Sequence, residues 1–363
     1  MFSLLRRGEG RVQSAPVGRM ASPSPASPLT LASPSAALLP LKLLATGKAL
    51  PAQLILSSDL DRQLHRPPGW VQDKSGVRSR HHACATDTQS GLAALALRDA
   101  MDRGGIDPGS IDLLLSASGV PEQALPTTAC RVLEPAGLSS GTPAFDVNAS
   151  CLGFLAALQL AAALLNAGTY RRIAIVASDL ASRGVDWREP EASLIFGDGA
   201  AAVVVERGDG DVGIEAYLMR THPQGKALCE VRAGGTRCTP SNGAQPEDFL
   251  FRMDGKGVFR LTSQVIGDFL DDLFDRCPFD RDDIDLIVPH QASHLAMQHI
   301  RKRLQLPASR VVDIYATHGN QVAASLPTAL HEAAVGGRWR PGMRVLLIGS
   351  AAGLTLGAMV LHT

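Results

Sequence analysis

F-D-V-N-A-S-C-L-G-F-L-A-A-L-Q-L-A-A-A-L-L, residues Phe145 to Leu165, opens as a short strand, passes through polar residues and delivers Cys151 to the start of a helix. The helix expected behind it, Leu152 to Asn166, is apolar nearly all round, so it should lie at the protein's centre with Gly168 as its stop. It falls short of the roughly 20 apolar residues that a bilayer span needs, and Gln159 interrupts it. A thiol at a helix N-terminus sits beside unpaired backbone N–H groups and the positive end of the helix dipole. Both favour thiolate and offer donors to a developing oxyanion, which are the requirements of an acyl-accepting nucleophile. A small buried hydrophobe at a tight strand-to-helix junction would leave the same trace, so the stretch alone keeps both roles open.

A chain of 363 residues can bury a large core and allows about two domains. Its 45% apolar content is that of a globular protein. Lys and Arg number 35, as do Asp and Glu, so no global field favours nucleic acid or a membrane surface, and any basic docking patch must be local. The cysteines, Cys84, Cys130, Cys151, Cys229, Cys238 and Cys277, form no C-x-x-C pair and no cluster with His. That usage points to reduced thiols in a cytoplasmic protein without a structural zinc. Residues 1–40 differ from everything after them. Residues 14–40 are dense in Ser, Pro and Ala without an apolar period, as in a disordered extension. Arg6, Arg7, Arg11 and Arg19 against the single acid Glu9 resemble a transit peptide, although Met20 as the true start explains the segment better.

Leu41 to Ala45 reads as the first strand, Thr86 to Arg103 as a helix stopped by Gly104-Gly105, and Ile111 to Ala117 as a buried strand. Asp99 to Leu113 matches Asp272 to Leu286 without a gap at an offset of 173, with seven of fifteen positions identical. Arg172 to Ser178, R-I-A-I-V-A-S, is echoed by Arg344 to Ser350, R-V-L-L-I-G-S, at an offset of 172. One shared offset implies two similar α/β halves, 41–209 and 210–363. Helices alternating with continuous apolar strands imply mixed sheets covered by helices. Gly208 to Gly213 fits G-x-G-x-x-G, but Ile214 to Leu218 after it looks like a strand where a dinucleotide site requires a helix. It is read as a turn between halves.

Two further apolar runs end in polar residues, P-H-Q-A-S at Pro289 to Ser293 and T-H-G-N-Q-V-A-A-S-L-P at Thr317 to Pro327. Together with the Cys151 stretch, I-F-G-D-G-A-A-A-V-V at Ile195 to Val204 and the closing G-S-A-A-G-L-T-L-G-A from Gly349, they fall in one order. In that order the chain from about Leu41 resembles β-ketoacyl-[acyl-carrier-protein] synthase III, a thiolase-fold condensing enzyme. The resemblance implies an α/β thiolase-like fold of duplicated halves in a five-layered αβαβα arrangement, a homodimer, and a catalytic triad of Cys151, His290 and Asn320. It implies a decarboxylative Claisen condensation in which a starter acyl group on Cys151 is extended by a malonyl thioester carried on acyl carrier protein. The oxyanion donors would be the backbone N–H groups of Cys151 and Ala352. Trp70, Lys74, Leu125, Gly255, Phe259 and Ala292 would line the path of the substrate, carried on coenzyme A or phosphopantetheine. Arg260, Arg301, Lys302 and Arg303 would dock the carrier protein, and no metal or cofactor is required. The setting implied is fatty-acid synthesis in the cytoplasm.

The departures from the family pattern are specific. Ala351-Ala352 stand in a glycine-rich end, Lys74 and Pro190-Glu191 stand where the family clamps coenzyme A with arginines, and Leu295 replaces a docking arginine. Lys in place of Arg loses a planar, stackable fork. A specialised ketosynthase or acyltransferase of secondary metabolism remains an alternative. So does a catalytically silent homologue that binds acyl carriers, which an intact triad disfavours. A plant-type polyketide synthase would close with G-F-G-P-G, and hydroxymethylglutaryl-CoA synthase uses an additional Glu.

Overall fold

The sequence repeat performs the same structural task twice. Asp112 accepts hydrogen bonds from the backbone N–H groups of Arg171 (2.8 Å) and Arg172 (3.2 Å), and Asp285 accepts one from Arg344 (2.9 Å). Each carboxylate pins the start of one strand to the neighbouring parallel strand. The arginine heading that neighbour pairs in turn with a glutamate, Arg172 with Glu206 and Arg344 with Glu215. The computed structural model in which these contacts occur describes residues 38–363.

Two five-stranded mixed sheets follow from these pairings. The first runs Lys42–Ala49, Gly199–Glu206, Arg172–Asp179, Leu113–Ala117, Ala144–Val147 in spatial order. Its successive pairings are antiparallel, antiparallel, parallel and parallel. The second sheet repeats that pattern with Gly213–Thr221, Thr355–His362, Arg344–Ala351 and Leu286–Pro289, followed by a parallel bridge from Ile287 to Val311. Leu39–Pro40 adds an antiparallel edge to it, paired with Gly213 and Ile214. The expected 1–40 extension is corrected there, because ordered pairing begins at Leu39. The transit-peptide reading and Met20 lie outside the described residues.

Between the sheets lie the helices Gly153–Asn166 and Ser325–Val335, whose Leu155, Leu158, Leu326 and Leu330 share one apolar core with strand residues of both sheets. The Cys151 helix is therefore central, as its all-round apolarity requires. Each fully buried leucine contributes roughly 1.5–3 kcal/mol relative to exposure. Gln89–Gly104 covers the outer face of the first sheet, where Leu92, Ala96, Leu97 and Ala100 meet Val176 and Val204. Thr88 caps that helix by accepting from Gly91, and Gly105 ends it in the left-handed region. Gly255–Phe274 and His294–Leu304 cover the outer face of the second sheet through Phe269, Leu273, Met297 and Leu304. The layers are helix, sheet, helix, sheet, helix. Gly208 to Gly213 leads into the strand Gly213–Thr221, so no helix is placed to bind a dinucleotide. No helix among the described residues is long and apolar enough to cross a membrane.

Candidate active site

The strand Ala144–Val147 and the central helix are joined by a tight turn that presents Cys151. Ser150 lies in the left-handed region at φ 51°, its N–H bound by the Asn148 side chain at 2.9 Å, while Gly153 N–H returns to the Ser150 carbonyl. A non-glycine residue in that region carries strain that the surroundings must hold in place. Two more such residues flank the site, Val322 at φ 53° and Leu354 at φ 37°. Each sits two positions beyond a residue expected to act, Asn320 or Ala352.

A cavity of about 1960 Å³ brings together Cys151, His290, Asn320 and Ala352. Ligand pockets commonly measure about 300–1,000 Å³, so this one has room for an extended arm together with an acyl chain. The backbone N–H groups of Ala352, which lines the cavity, and of Cys151 itself both favour the thiolate. Gly353, not Ala352, takes the positive φ of the closing turn, so the alanine fits there without strain. The thiol nevertheless departs from expectation. Burial, then the charge of Asp179, push it up to about 11, outweighing the Ser150 and backbone hydrogen bonds. Desolvation of a thiolate exceeds what the helix terminus returns.

His290 follows the strand Leu286–Pro289 and donates its backbone N–H to Ile348 (2.8 Å). Gly349 is what lets the neighbouring strand approach it, since a Cβ there would meet the His290 Cβ at 2.6 Å. Burial pushes the imidazole down to about 4, so it is neutral at physiological pH, and its Nδ1 is buried without a partner. Asn320 donates from Nδ2 to the Ala292 carbonyl (3.1 Å), and its Oδ1 accepts from Val322 N–H (2.8 Å) and the Ser325 hydroxyl (3.4 Å). The Asn320 amide is thereby fixed against the loop that carries His290.

Burial of neutral His290 has a consequence for folding. Its folded value lies below the unfolded 6.5, so between about pH 6.5 and 4 the unfolded chain binds a proton that the native state does not. Stability from this group is complete above 6.5 and is lost as pH falls towards 4, by on the order of 3 kcal/mol. His318 is lowered to about 4 as well, whereas Asp179, raised to about 8, acts oppositely. Comparing urea midpoints of the wild type and His290→Gln across this window isolates His290. The variant should show the shallower loss, and parallel curves would contradict the buried neutral imidazole.

Trp70, Lys74, Gly255, Phe259, Arg260 and Ala292 line the same cavity. Trp70 begins the helix Trp70–Ser75, set by the buried Asp61, which accepts from Gly69 and Val71 N–H. Leu125 is 82% exposed in the single chain and lies outside this cavity. Arg301, Lys302 and Arg303 occupy the last turn of His294–Leu304, and Arg303 donates to the Ser263 carbonyl. Leu295, exposed near that helix's start, lines the cavity as an apolar residue, as does the exposed Phe259.

Two residues, Arg66 and Asp179, and one contact of Glu191 went unremarked in the sequence. Arg66 lies 4.7 Å over the Trp70 ring, a contact only the turn through Pro67-Pro68-Gly69 creates. Glu191 packs against Gly255 in the cavity. Asp179 ends the strand Arg172–Asp179 and is buried at 3% exposure in the cavity wall. An Asp two positions after the five-residue apolar run Ile173 to Ala177 was the available signal.

Two family models match the chain. The 3-oxoacyl-[acyl-carrier-protein] synthase III model covers residues 145–223, and the model of that family's C-terminal part covers residues 274–363. The first span holds Cys151, the second His290, Asn320 and Ala352. A β-ketoacyl-[acyl-carrier-protein] synthase III from Methylococcus capsulatus is 33% identical over 321 residues, 88% of this chain and 98% of its own. The chain belongs to the β-ketoacyl-[acyl-carrier-protein] synthase III family. Another member of this synthase family, from Neisseria meningitidis, is 34% identical over the same lengths. The synthase III structure from Pseudomonas aeruginosa superposes with a TM-score of 0.80 at 31% identity, covering 89% of this chain and 98% of that one. A Xanthomonas campestris OleA structure, at 19% identity and a TM-score of 0.78, shares the thiolase-like fold. This synthase therefore has both the fold and the acyltransferase class that its motifs implied.

Proposed function

We infer that Cys151, His290 and Asn320 carry out a two-step condensation of a starter acyl thioester with malonyl-[acyl-carrier-protein]. The observation that carries the assignment is the convergence of Cys151, His290, Asn320 and the Ala352 N–H on one cavity. In the first step the Cys151 sulfur attacks the starter carbonyl, an S–C bond forms, and the carrier thiol departs with the proton. In the second, the C–CO₂ bond of the malonyl group breaks and its electron pair passes into an enolate. Neutral His290 and the Asn320 amide donate to that enolate oxygen. The carbanion then attacks the acyl-cysteine, the oxyanion rests on the N–H groups of Cys151 and Ala352, and the Cys151 thiolate leaves. The product is a β-ketoacyl thioester.

The starter donor is assigned to acyl carrier protein rather than coenzyme A. A nucleotide with a 3′-phosphate favours guanidinium partners that stack and fork. One face of Trp70 is covered by Arg66, Lys74 is an exposed point charge, and the Glu191 carboxylate in the cavity repels a phosphate. A carrier protein needs only the buried arm and a basic rim, which Arg260, Arg301, Lys302 and Arg303 provide. One acyl chain presented on both carriers should load Cys151 faster from acyl carrier protein, with the preference weakening at high salt because exposed charges are screened beyond about 10 Å. Equal rates, or faster loading from coenzyme A, would contradict the assignment.

A homodimer completes this reading, because a partner subunit would cover Leu125, which is exposed in the single chain. We place residues 41–209 and 210–363 as the two thiolase-like halves, one supplying Cys151 and the other His290 and Asn320. The cytoplasm is the compartment that suits six free thiols.

A further inference from the structure

Asp179 is the buried group that the two-step reaction leaves without a task. Its Oδ1 accepts from the backbone N–H of Gly119 (2.8 Å) and of Val120 (3.4 Å), and its Oδ2 accepts from Ala323 N–H (3.0 Å). One carboxylate thus joins the end of its own strand to two loops that line the cavity on either side of Cys151. The Ala323 loop belongs to Asn320, and between the two residues lies Val322, held in the left-handed region with its N–H on the Asn320 Oδ1. For a β-branched residue that conformation persists only where neighbouring contacts over-determine it. Asp179 supplies one such contact. Gly119 supplies another, because the Val322 side chain fills the space where a Cβ at 119 would stand.

We propose that the Asp179 carboxylate is a positioning group which holds the strained turn after Asn320 in register with Cys151, and so serves decarboxylation rather than acyl loading. The proposal rests on the roles assigned to Cys151 and Asn320 above. All three hydrogen-bond partners of Asp179 are N–H donors, an environment that suits an ionised carboxylate. Burial and the charge of Asp198 act against ionisation, and together these influences leave the group titrating at about 8. Once ionised, above about pH 8, its charge also reaches Cys151, where it adds to burial in raising the thiol. Cys229, whose own thiol is raised to about 12 by burial and then by Cys151, lines the same cavity.

Two variants separate position from charge. Asp179→Asn keeps the shape and removes the charge, and its NH₂ must face a backbone N–H that the carboxylate had bound. Asp179→Glu keeps the charge and displaces it by one methylene. Acyl loading of Cys151 is read by intact mass, decarboxylation by release of labelled carbon dioxide from malonyl carrier protein, and thiol ionisation by the pH profile of iodoacetamide alkylation. Both variants should lose about a hundredfold in decarboxylation, the cost typical of one misplaced donor, with acyl loading within about threefold of wild type. Only Asp179→Asn should move the alkylation profile to lower pH, because a negative neighbour has gone. A purely structural Asp179 would lower both half-reactions together and leave that profile in place, which would overturn the proposal. Decarboxylation within about threefold of wild type would overturn it too. Should Asp179→Asn fail to fold, the split between half-reactions in Asp179→Glu decides. Failure of the wild type to load Cys151 would instead refute the underlying assignment.

Discussion

Cys151→Ala should remove all acyl labelling while the protein stays folded. The substitution deletes one sulfur from a cavity wall and leaves the Ser150 turn, the Leu152 packing and the central helix intact, so stability should change by about 1 kcal/mol. No other group can take over the chemistry, since covalent catalysis needs the nucleophile where the Ala352 N–H can meet the oxyanion. Incubation with an acyl thioester followed by intact mass and peptide mapping checks this. The wild type should carry one acyl group on the peptide containing Cys151 and the variant none. An adduct at exposed Cys84 or Cys130, or at Cys229 in the same cavity, would contradict the assignment.

The architecture was legible because it rests on patterns local to the chain. An all-round apolar helix can only be central, and two aspartates that each staple a strand to an arginine leave the same D-x-x-D-R…I-D-L trace twice. His290 and Ala352 were legible because each follows an apolar strand, and Asn320 because it lies in a polar stretch, although what precedes it is the short helix Tyr315–His318. Charge states were not. The helix N-terminus below Cys151 argues for thiolate, but the depth of burial and the nearness of Asp179 decide the matter, and both belong to the assembled layers. Arg66 over Trp70 and Asp179 under Val322 depend on turns that bring distant residues together, and spacing carries no record of such approaches.

His290→Ala and Asn320→Ala are the second pair of substitutions with large expected effects, and they should divide the reaction rather than abolish it. Both side chains belong to the half opposite Cys151 and line its cavity, Asn320 held through its amide to the Ala292 carbonyl and His290 through its backbone N–H to Ile348, where they can face the malonyl thioester. Neither bonds the Cys151 sulfur. Each variant should therefore acquire the acyl group on Cys151, and each should then decarboxylate malonyl carrier protein about a hundredfold or more slowly. Asn320→Ala should show the greater loss, because Asn320 also holds Val322 N–H and Ser325 in the strained turn.

The most direct measurement is a single-turnover chase. Wild type, His290→Ala and Asn320→Ala are first acylated, then mixed with labelled malonyl carrier protein while carbon dioxide and the acyl adduct are followed together. In the wild type each acyl group lost from Cys151 should match one carbon dioxide released and one β-ketoacyl thioester formed, and in both variants the adduct should persist with little release. Variants that condense at the wild-type rate, or a wild type whose adduct is lost without β-ketoacyl product, would contradict the division of labour between Cys151 and the His290–Asn320 pair.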